Sequence, residues 1–339
     1  MRLRFRPTNE HNAYSGNRRY RNYLMVWLTL SFASVGWAQN CNEKEGSVLI
    51  PVIEGAWWTV AHNPELHRYG AEEQETTSYG LWQAADGSWQ LWGCIRNTAI
   101  GGKTRLFYRW EGNHITDTDW VPKGIVMTAE PDFGDTPGGL QAPFAARIGN
   151  EYVMVHGNWE YICLARSSDG KTFARQLNPE NQTGLFHEGL GNGSRDPMIM
   201  VVDSTYHVYY TANPDGKGAI YCRTSKDLHN WSDSRIVSTG GCAGSDWYDA
   251  EVPVVLYHPS EKCYYLFRTH SSKDSEQFMT SVYRSPDPFD FGIDHDRFRI
   301  TSLPVEAARV VLEGDQYYIA GVRPDHQGYH IARMGWVLK

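Results

Sequence analysis

Asp196-Pro197-Met198-Ile199-Met200-Val201-Val202-Asp203-Ser204-Thr205-Tyr206-His207-Val208-Tyr209-Tyr210 reads as an apolar strand opened by a proline, a turn, and a second strand headed by tyrosine. The same unit recurs from Ala142-Pro143 to Asn150-Glu151-Tyr152, from Val252-Pro253 to Cys263-Tyr264, and from Ala307-Ala308 to Gln316-Tyr317. Successive proline-like positions lie 54, 56 and 55 residues apart (143, 197, 253, 308). A more degenerate fifth copy runs from Gly80 through Asp86-Gly87-Ser88-Trp89. The aromatic follows the proline-like position by nine residues in four copies and by eleven in the Pro253 copy. A period of this length, repeated over most of a chain, is the signature of a repeat architecture.

A second feature keeps step with the first. Ser168-Asp169-Gly170-Lys171-Thr172-Phe173, Ser225-Lys226-Asp227-Leu228-His229-Asn230-Trp231 and Ser285-Pro286-Asp287-Pro288-Phe289-Asp290-Phe291 each follow a strand and end in an aromatic. A turn aspartate bonds its own backbone, so these boxes speak for fold, with the aromatic packing between sheets, and not for chemistry. Between the marks the chain alternates on a two-residue period rich in Val, Ile, Tyr, Phe and Trp, as in Tyr264-Tyr265-Leu266-Phe267, with Gly, Asn, Asp and Pro at the breaks. Five units of four short antiparallel strands each predict an all-β, five-bladed β-propeller, which protects its sheet edges by radial repetition. The segment around Trp57-Trp58-Thr59-Val60 is expected to join the last repeat and close the ring.

The chain has 339 residues, 41% of them apolar, enough for a sizeable core. Its first 38 residues stand apart. Arg2, Arg4, Arg6, Arg18, Arg19 and Arg21 precede an apolar run from Leu24 to Val35 that ends at Gly36-Trp37-Ala38, the order of a secretory signal peptide. The run is shorter than the roughly 20 apolar residues of a membrane span. Residues 1–38 are therefore expected to be a signal peptide, residues 39–339 a single propeller domain, and the product secreted or periplasmic. Removing six Arg and one Glu takes the formal charge from 32 − 39 = −7 to 26 − 38 = −12. That balance, with no Lys/Arg cluster after Arg21, argues against a nucleic-acid partner and leaves carbohydrate as the compatible one. The six cysteines match no zinc motif and set no pairing.

In a propeller the first strand of each blade lines the central channel, so residues about 55 positions apart converge there. The five starts read Ser78-Tyr79-Gly80, Gln141-Ala142-Pro143, Arg195-Asp196-Pro197, Glu251-Val252-Pro253 and Glu306-Ala307-Ala308. Asp196 and Glu251, on adjacent repeats, are thus expected at one channel mouth. Paired carboxyls are what glycosidic cleavage needs, one protonated to help the leaving oxygen and one ionised to activate water or attack carbon.

Arg195-Asp196-Pro197, the strand and turn box that follow it, and Ala250-Glu251-Val252-Pro253 resemble the Arg-Asp-Pro and Glu-x-Pro signatures of the five-bladed propeller glycosidases of families 32 and 43, the invertase, arabinanase and xylosidase group. The resemblance is close over residues 194–253 and loose over the rest. It implies that Glu251 is the general acid and that Asp196 holds sugar hydroxyls and tunes that acid. A glutamate facing a second carboxylate in a partly dry channel should carry a raised pKa.

The chain also departs from the pattern. Those families carry a third carboxylate, base or nucleophile, on an early blade, and neither Ser78-Tyr79-Gly80 nor Gln141-Ala142-Pro143 supplies one. Glu75 is the favoured substitute, with Glu72-Glu73 nearby, and His62-Asn63-Pro64 has an amide where an aspartate often stands. Arg195 either binds substrate or neutralises Asp196. Gln141 can both donate to and accept from a sugar hydroxyl, and Trp159, Trp247, Tyr248 and His270, on loops near blade starts, either stack on the apolar face of a sugar ring or serve as packing and rim. No cofactor is required; resemblance to family 43 suggests a structural calcium ion near His156 and His270. Two rival readings stand beside the hydrolase: a carbohydrate-binding propeller without catalysis, motivated by the missing aspartate, and a sialidase-like propeller, whose turn boxes are similar but one residue longer than Ser167–Phe173.

Overall fold

The computed structural model describes residues 47–271 and 277–339; the expected signal peptide lies outside them. Every strand pairing in it is antiparallel, and no α-helix occurs among the described residues. After β1 (Leu49–His62), blade 1 consists of β2 (Glu75–Gln83), β3 (Trp89–Arg96), β4 (Leu106–Gly112) and β5 (Val121–Met127). Blade 2 has β6 (Gln141–Ile148), β7 (Glu151–Gly157) and β8 (Ile162–Ser167), edged by the short β9 (Ala174–Arg175) and β10 (Gly184–Phe186). Blade 3 is β11 (Arg195–Val202), β12 (Thr205–Ala212), β13 (Ala219–Ser225) and β14 (Arg235–Thr239). Blade 4 is β15 (Glu251–His258), β16 (Cys263–Ser271), β17 (Phe278–Ser285) and β18 (Arg299–Leu303). Blade 5 contains β19 (Glu306–Glu313), β20 (Gln316–Val322) and β21 (Gly328–Leu338), and takes its fourth strand from β1, paired with β21 from Leu49↔Leu338 to His62↔Gly328. The ring is thus closed by the Trp57–Val60 segment, as the sequence suggested.

The repeated proline has a structural cause. In each inner strand two residues oppose one on the partner strand: the ladder jumps between Gln141 and Phe144, Arg195 and Met198, Glu251 and Val254, and Glu306 and Arg309. Proline cannot donate to a ladder and is accepted at such a bulge. The residue before each proline-like position takes a left-handed backbone, Ala142 at φ 43°, Asp196 at 53°, Val252 at 46° and Ala307 at 52°. For a β-branched residue such as Val252 this is a strained conformation. The eleven-residue spacing in blade 4 is equally plain: four residues, 259–262, join β15 to β16, where two join β11 to β12. That two-residue link, Asp203-Ser204, has φ of 47° and 60°, the primed turn that matches strand twist.

Blade 1 departs from the expected register. Its ladder jumps between Thr76 and Tyr79, so Thr76 occupies the place of Gln141, Arg195, Glu251 and Glu306, and Ser78 that of the prolines. The blade therefore begins two residues earlier than Ser78-Tyr79-Gly80 implied. A five-residue link, 84–88, between β2 and β3 hides the shift.

The turn boxes cap and pack. Asp169 Oδ1 accepts the N–H groups of Lys171 and Thr172 at 2.7 and 2.9 Å, and Asp227 Oδ1 those of His229 and Asn230 at 2.9 and 2.7 Å. Phe173 then packs edge-on against Trp82 and Trp92 of the preceding blade, at 5.8 and 5.3 Å, and Trp231 against Phe186 at 5.1 Å. Such aromatic pairs glue blade to blade with about 1 kcal/mol each beyond the area they bury. Cys263 is disulfide-bonded, Cys94, Cys163 and Cys222 are buried thiols, and Cys242 is an exposed one.

Candidate active site

All inner strands start at the same end of the channel, so Thr76, Gln141, Arg195, Glu251 and Glu306 form a ring of first residues at its mouth. Asp196 lies one step along, on the left-handed bulge of β11, and is 4% exposed. Asp196 and Glu251 thus share the mouth, and Arg195 lies between them.

The Arg195 guanidinium has no spare donor. Nε and Nη2 both donate to Glu251 Oε1, at 3.1 and 2.7 Å. Nη1 donates to Gly193 O at 2.9 Å and to Asn213 Oδ1, and Nη2 also reaches Trp247 O at 3.2 Å. Asp196 Oδ2 is 3.6 Å from Nε, while Ser78 Oγ donates to Asp196 Oδ1 at 3.3 Å. Of the two roles expected for Arg195, neutralising and fixing carboxylates is the one this geometry serves. Glu251 Oε2 takes no hydrogen bond from any described residue and is the oxygen left to face a ligand.

Burial raises the Glu251 pKa above the ordinary carboxylate value; Arg195 opposes the rise, and the nearby Asp196 charge reinforces it. Glu306, the first residue of β19, sits in the same setting. Burial pushes it up to about 7, Arg96 acts against this, and Glu251 and Glu75 add to it. His326 Nε2 lies 3.5 Å from its Oε2. Glu306 opened the fifth repeat in plain sight, yet sequence reasoning missed it as a site residue. The alignment that puts Glu251 first in its blade puts Glu306 first in the next.

Glu75, the expected third carboxylate, forms a 2.7 Å ion pair with Arg96 directly across the β2–β3 ladder and acts on Glu306. Gln141 is buried at the mouth, its Oε1 without a partner among the described residues. Trp247 is exposed at the rim, its ring 5.4 Å from the Arg195 guanidinium, and Tyr248 is exposed beside it. Trp159 sits in the β7–β8 turn at φ 86°, with Lys103 and Arg105 over its ring at 4.6 and 5.2 Å. His270 is not brought to the carboxylates: its ring lies within blade 4, between Ser271 O at 2.9 Å and Ser281 Oγ at 3.0 Å.

His156, named for a calcium ion, is buried with Nδ1 near Gly157 O and Nε2 without a partner among the described residues, and among those residues no three His, Cys, Asp or Glu side chains gather to hold a metal. Two residues that no motif marked complete the site's frame. Asn213, 1% exposed, takes Arg195 on its Oδ1 and donates from Nδ2 to Trp247 O at 2.9 Å. Arg309 is buried over Phe144, its Nε on Tyr79 O at 2.9 Å and both Nη atoms unpartnered among the described residues, and burial lowers its pKa to about 10.

No protein-family model matches the chain, and no curated protein matches its sequence. Solved structures do. A thermostable family-43 glycoside hydrolase superposes with a TM-score of 0.59 at 18% identity, over 79% of this chain and 93% of that one. An endo-arabinase from Bacteroides thetaiotaomicron gives 0.60 at 11%, over 83% and 96%, and the catalytic domain of a Coprinopsis cinerea family-62 α-L-arabinofuranosidase gives 0.57 at 11%, over 82% and 96%. At such identities the likeness is one of fold. The resemblance carried by Arg195-Asp196-Pro197 and Glu251-Val252-Pro253 therefore extends to the whole ring: the chain shares the five-bladed propeller of those glycosidases.

Proposed function

We propose that this protein is an exported glycoside hydrolase that cleaves an oligo- or polysaccharide at the channel mouth, with Glu251 and Glu306 dividing the acid and base work. The observation that carries the reading is the pair itself. Two carboxyls stand at equivalent places on adjacent blades, the charge of Glu251 acts on Glu306, and both have pKa values raised by burial. Raised carboxyls near neutrality are what proton transfer to a leaving oxygen requires. Glu251 is the acid in this scheme, Asp196 raises its proton affinity, and Arg195 fixes its geometry. Glu306, rather than the ion-paired Glu75, is the second carboxyl.

One observation favours exchanging the two roles. Two Arg195 donors fall on Glu251 Oε1 and stabilise its anion, whereas among the described residues no guanidinium bonds Glu306, the group held near 7. Leaving-group dependence separates the schemes. Loss of the acid spares glycosides whose leaving phenol needs no proton, and loss of the base slows all glycosides alike until a small anion such as azide replaces the lost nucleophile. Glu251→Gln is expected to show the first behaviour and Glu306→Gln the second; the reverse pattern assigns the roles the other way. If neither substitution affects release of sugar, or if the wild type binds saccharide and releases no product, the hydrolase reading fails in favour of a binding propeller.

A further inference from the structure

Most cations at the mouth are matched. Arg96 has Glu75, Arg195 has Glu251 and Asp196, and Arg323 has Asp325. Lys103 and Arg105 are not: neither forms an ion pair with any described residue. Both belong to the link between β3 and β4, at the end of the ring where the inner strands begin, and the charge of Arg105 reaches Glu251. Lys103 is exposed and Arg105 half-buried, so both can meet a ligand.

The pair is held, not loose. Lys103 N–H donates to Pro137 O and Arg105 N–H to Gly138 O, each at 2.9 Å, and Thr98 Oγ donates to Thr104 O at 2.7 Å between them. The 137–138 segment that receives these bonds runs directly into Gln141 of the mouth. The two loops touch closely enough that a Cβ on Gly102 would strike Pro137 O and one on Gly138 would strike Gly101 O. The side chains meet over Trp159, which attracts both through its ring. Trp159 is presented by a turn in which Asn158 Oδ1 accepts Tyr161 N–H at 2.8 Å, and its φ of 86° is a strained value for a bulky residue. Two like charges gathered on one ring repel each other until an anion lies between or beside them. Fixing them in advance removes part of the ordering cost of binding.

We infer that this side of the mouth, between blades 1 and 2, is a subsite for an anionic sugar unit whose carboxylate or sulfate is received by Lys103 and Arg105. The substrate class is then an acidic saccharide, a uronate-bearing or sulfated glycan, in a protein whose formal net charge of −7 would otherwise repel it. The inference rests on the saccharide reading above and deepens it.

Binding, measured by calorimetry on the full-length protein at low and at 0.2 M salt, tests it separately from turnover. The probes are an oligogalacturonate, a sulfated galacto-oligosaccharide, and a neutral arabino- or xylo-oligosaccharide of the same length. One of the two acidic probes is expected to bind at least about tenfold more tightly than the neutral one at low salt, the tenfold expected of one charge-assisted contact, and to lose most of that advantage in salt. Which acidic probe does so tells carboxylate from sulfate. Lys103→Gln combined with Arg105→Gln should erase the difference between acidic and neutral probes, and Arg105→Lys should keep part of it, with unchanged thermal transitions showing that the loops are intact. Equal binding of acidic and neutral probes, a preference that survives the double substitution, or no acidic binding at all overturns the inference. Absence of hydrolysis with acidic binding intact would sink the hydrolase reading alone.

Discussion

Replacing Glu306 with glutamine should make the protein more stable at alkaline pH and change it little in acid. The folded protein holds this carboxyl at about 7 against an ordinary 4.5, with its side chain 17% exposed. A carboxyl whose folded pKa lies above its unfolded one favours the folded state fully below about 4.5 and loses that advantage as pH climbs through about 7. Above that point, keeping the charge at the mouth costs roughly 3 kcal/mol by the conversion of pKa difference to free energy. Glutamine has the same shape and no charge, so the variant should gain about 2–3 kcal/mol at pH 8, nothing near pH 4.5, and an intermediate amount near 6. Urea unfolding followed by tryptophan fluorescence at those three pH values measures it. Parallel stability-versus-pH curves for wild type and variant would refute the reasoning, because the burial and charge crowding assigned to Glu306 would then be absent. The gain would also mark the residue as one kept at a cost to stability, the usual sign of a functional group.

Arg195→Met should act in the opposite direction. It strands Glu251 and Asp196 without their cation and leaves Gly193 O, Trp247 O and Asn213 Oδ1 short of a donor. Breaking a buried pair of this kind costs about 3–5 kcal/mol, and the loss should shrink as pH falls and Glu251, whose pKa burial raises, takes up its proton; denaturant midpoints at pH 8 and pH 5 check this. The same substitution should move the ionisation of Glu251 further upward, since Arg195 is what holds it down, and a kinetic pH profile that stays in place would contradict that. Trp58→Ala removes a side chain on the closing strand whose Nε1 donates to Ile115 O at 3.1 Å. Unfolding should show a loss of about 3 kcal/mol, the low end for a buried aromatic, whereas Val121→Ala, at a position 56% exposed, should stay within about 0.5 kcal/mol.

The architecture was legible because the backbone demands it at every repeat. A bulge at the head of each inner strand leaves a place outside the ladder where proline is accepted, which is why Pro143, Pro197 and Pro253 recur at nearly constant spacing. The turn boxes were legible because the carboxylates of Asp169 and Asp227 bond neighbours in sequence. Blade 1 was harder, because Ser78 replaces the proline and a long 84–88 link shifts the aromatic. At the site, Asp196 and Glu251 stood out through their motifs, while Glu306, followed by alanines instead of a proline, carried no motif and only its place in the repeat. Asn213 and the loop that fixes Lys103 and Arg105 left no trace in the pattern. Asn213 bonds Arg195 and Trp247, and the 97–105 link bonds Pro137 and Gly138, partners far along the chain that only the folded structure brings together.

Turnover of a saccharide panel, acidic and neutral, by wild-type protein beside Glu251→Gln and Glu306→Gln addresses the central claim most directly. The account predicts that the wild type releases reducing sugar from at least one member and that each substitution lowers kcat by about 10²–10⁴-fold while the folded state persists. Product release by both variants at the wild-type rate would contradict it.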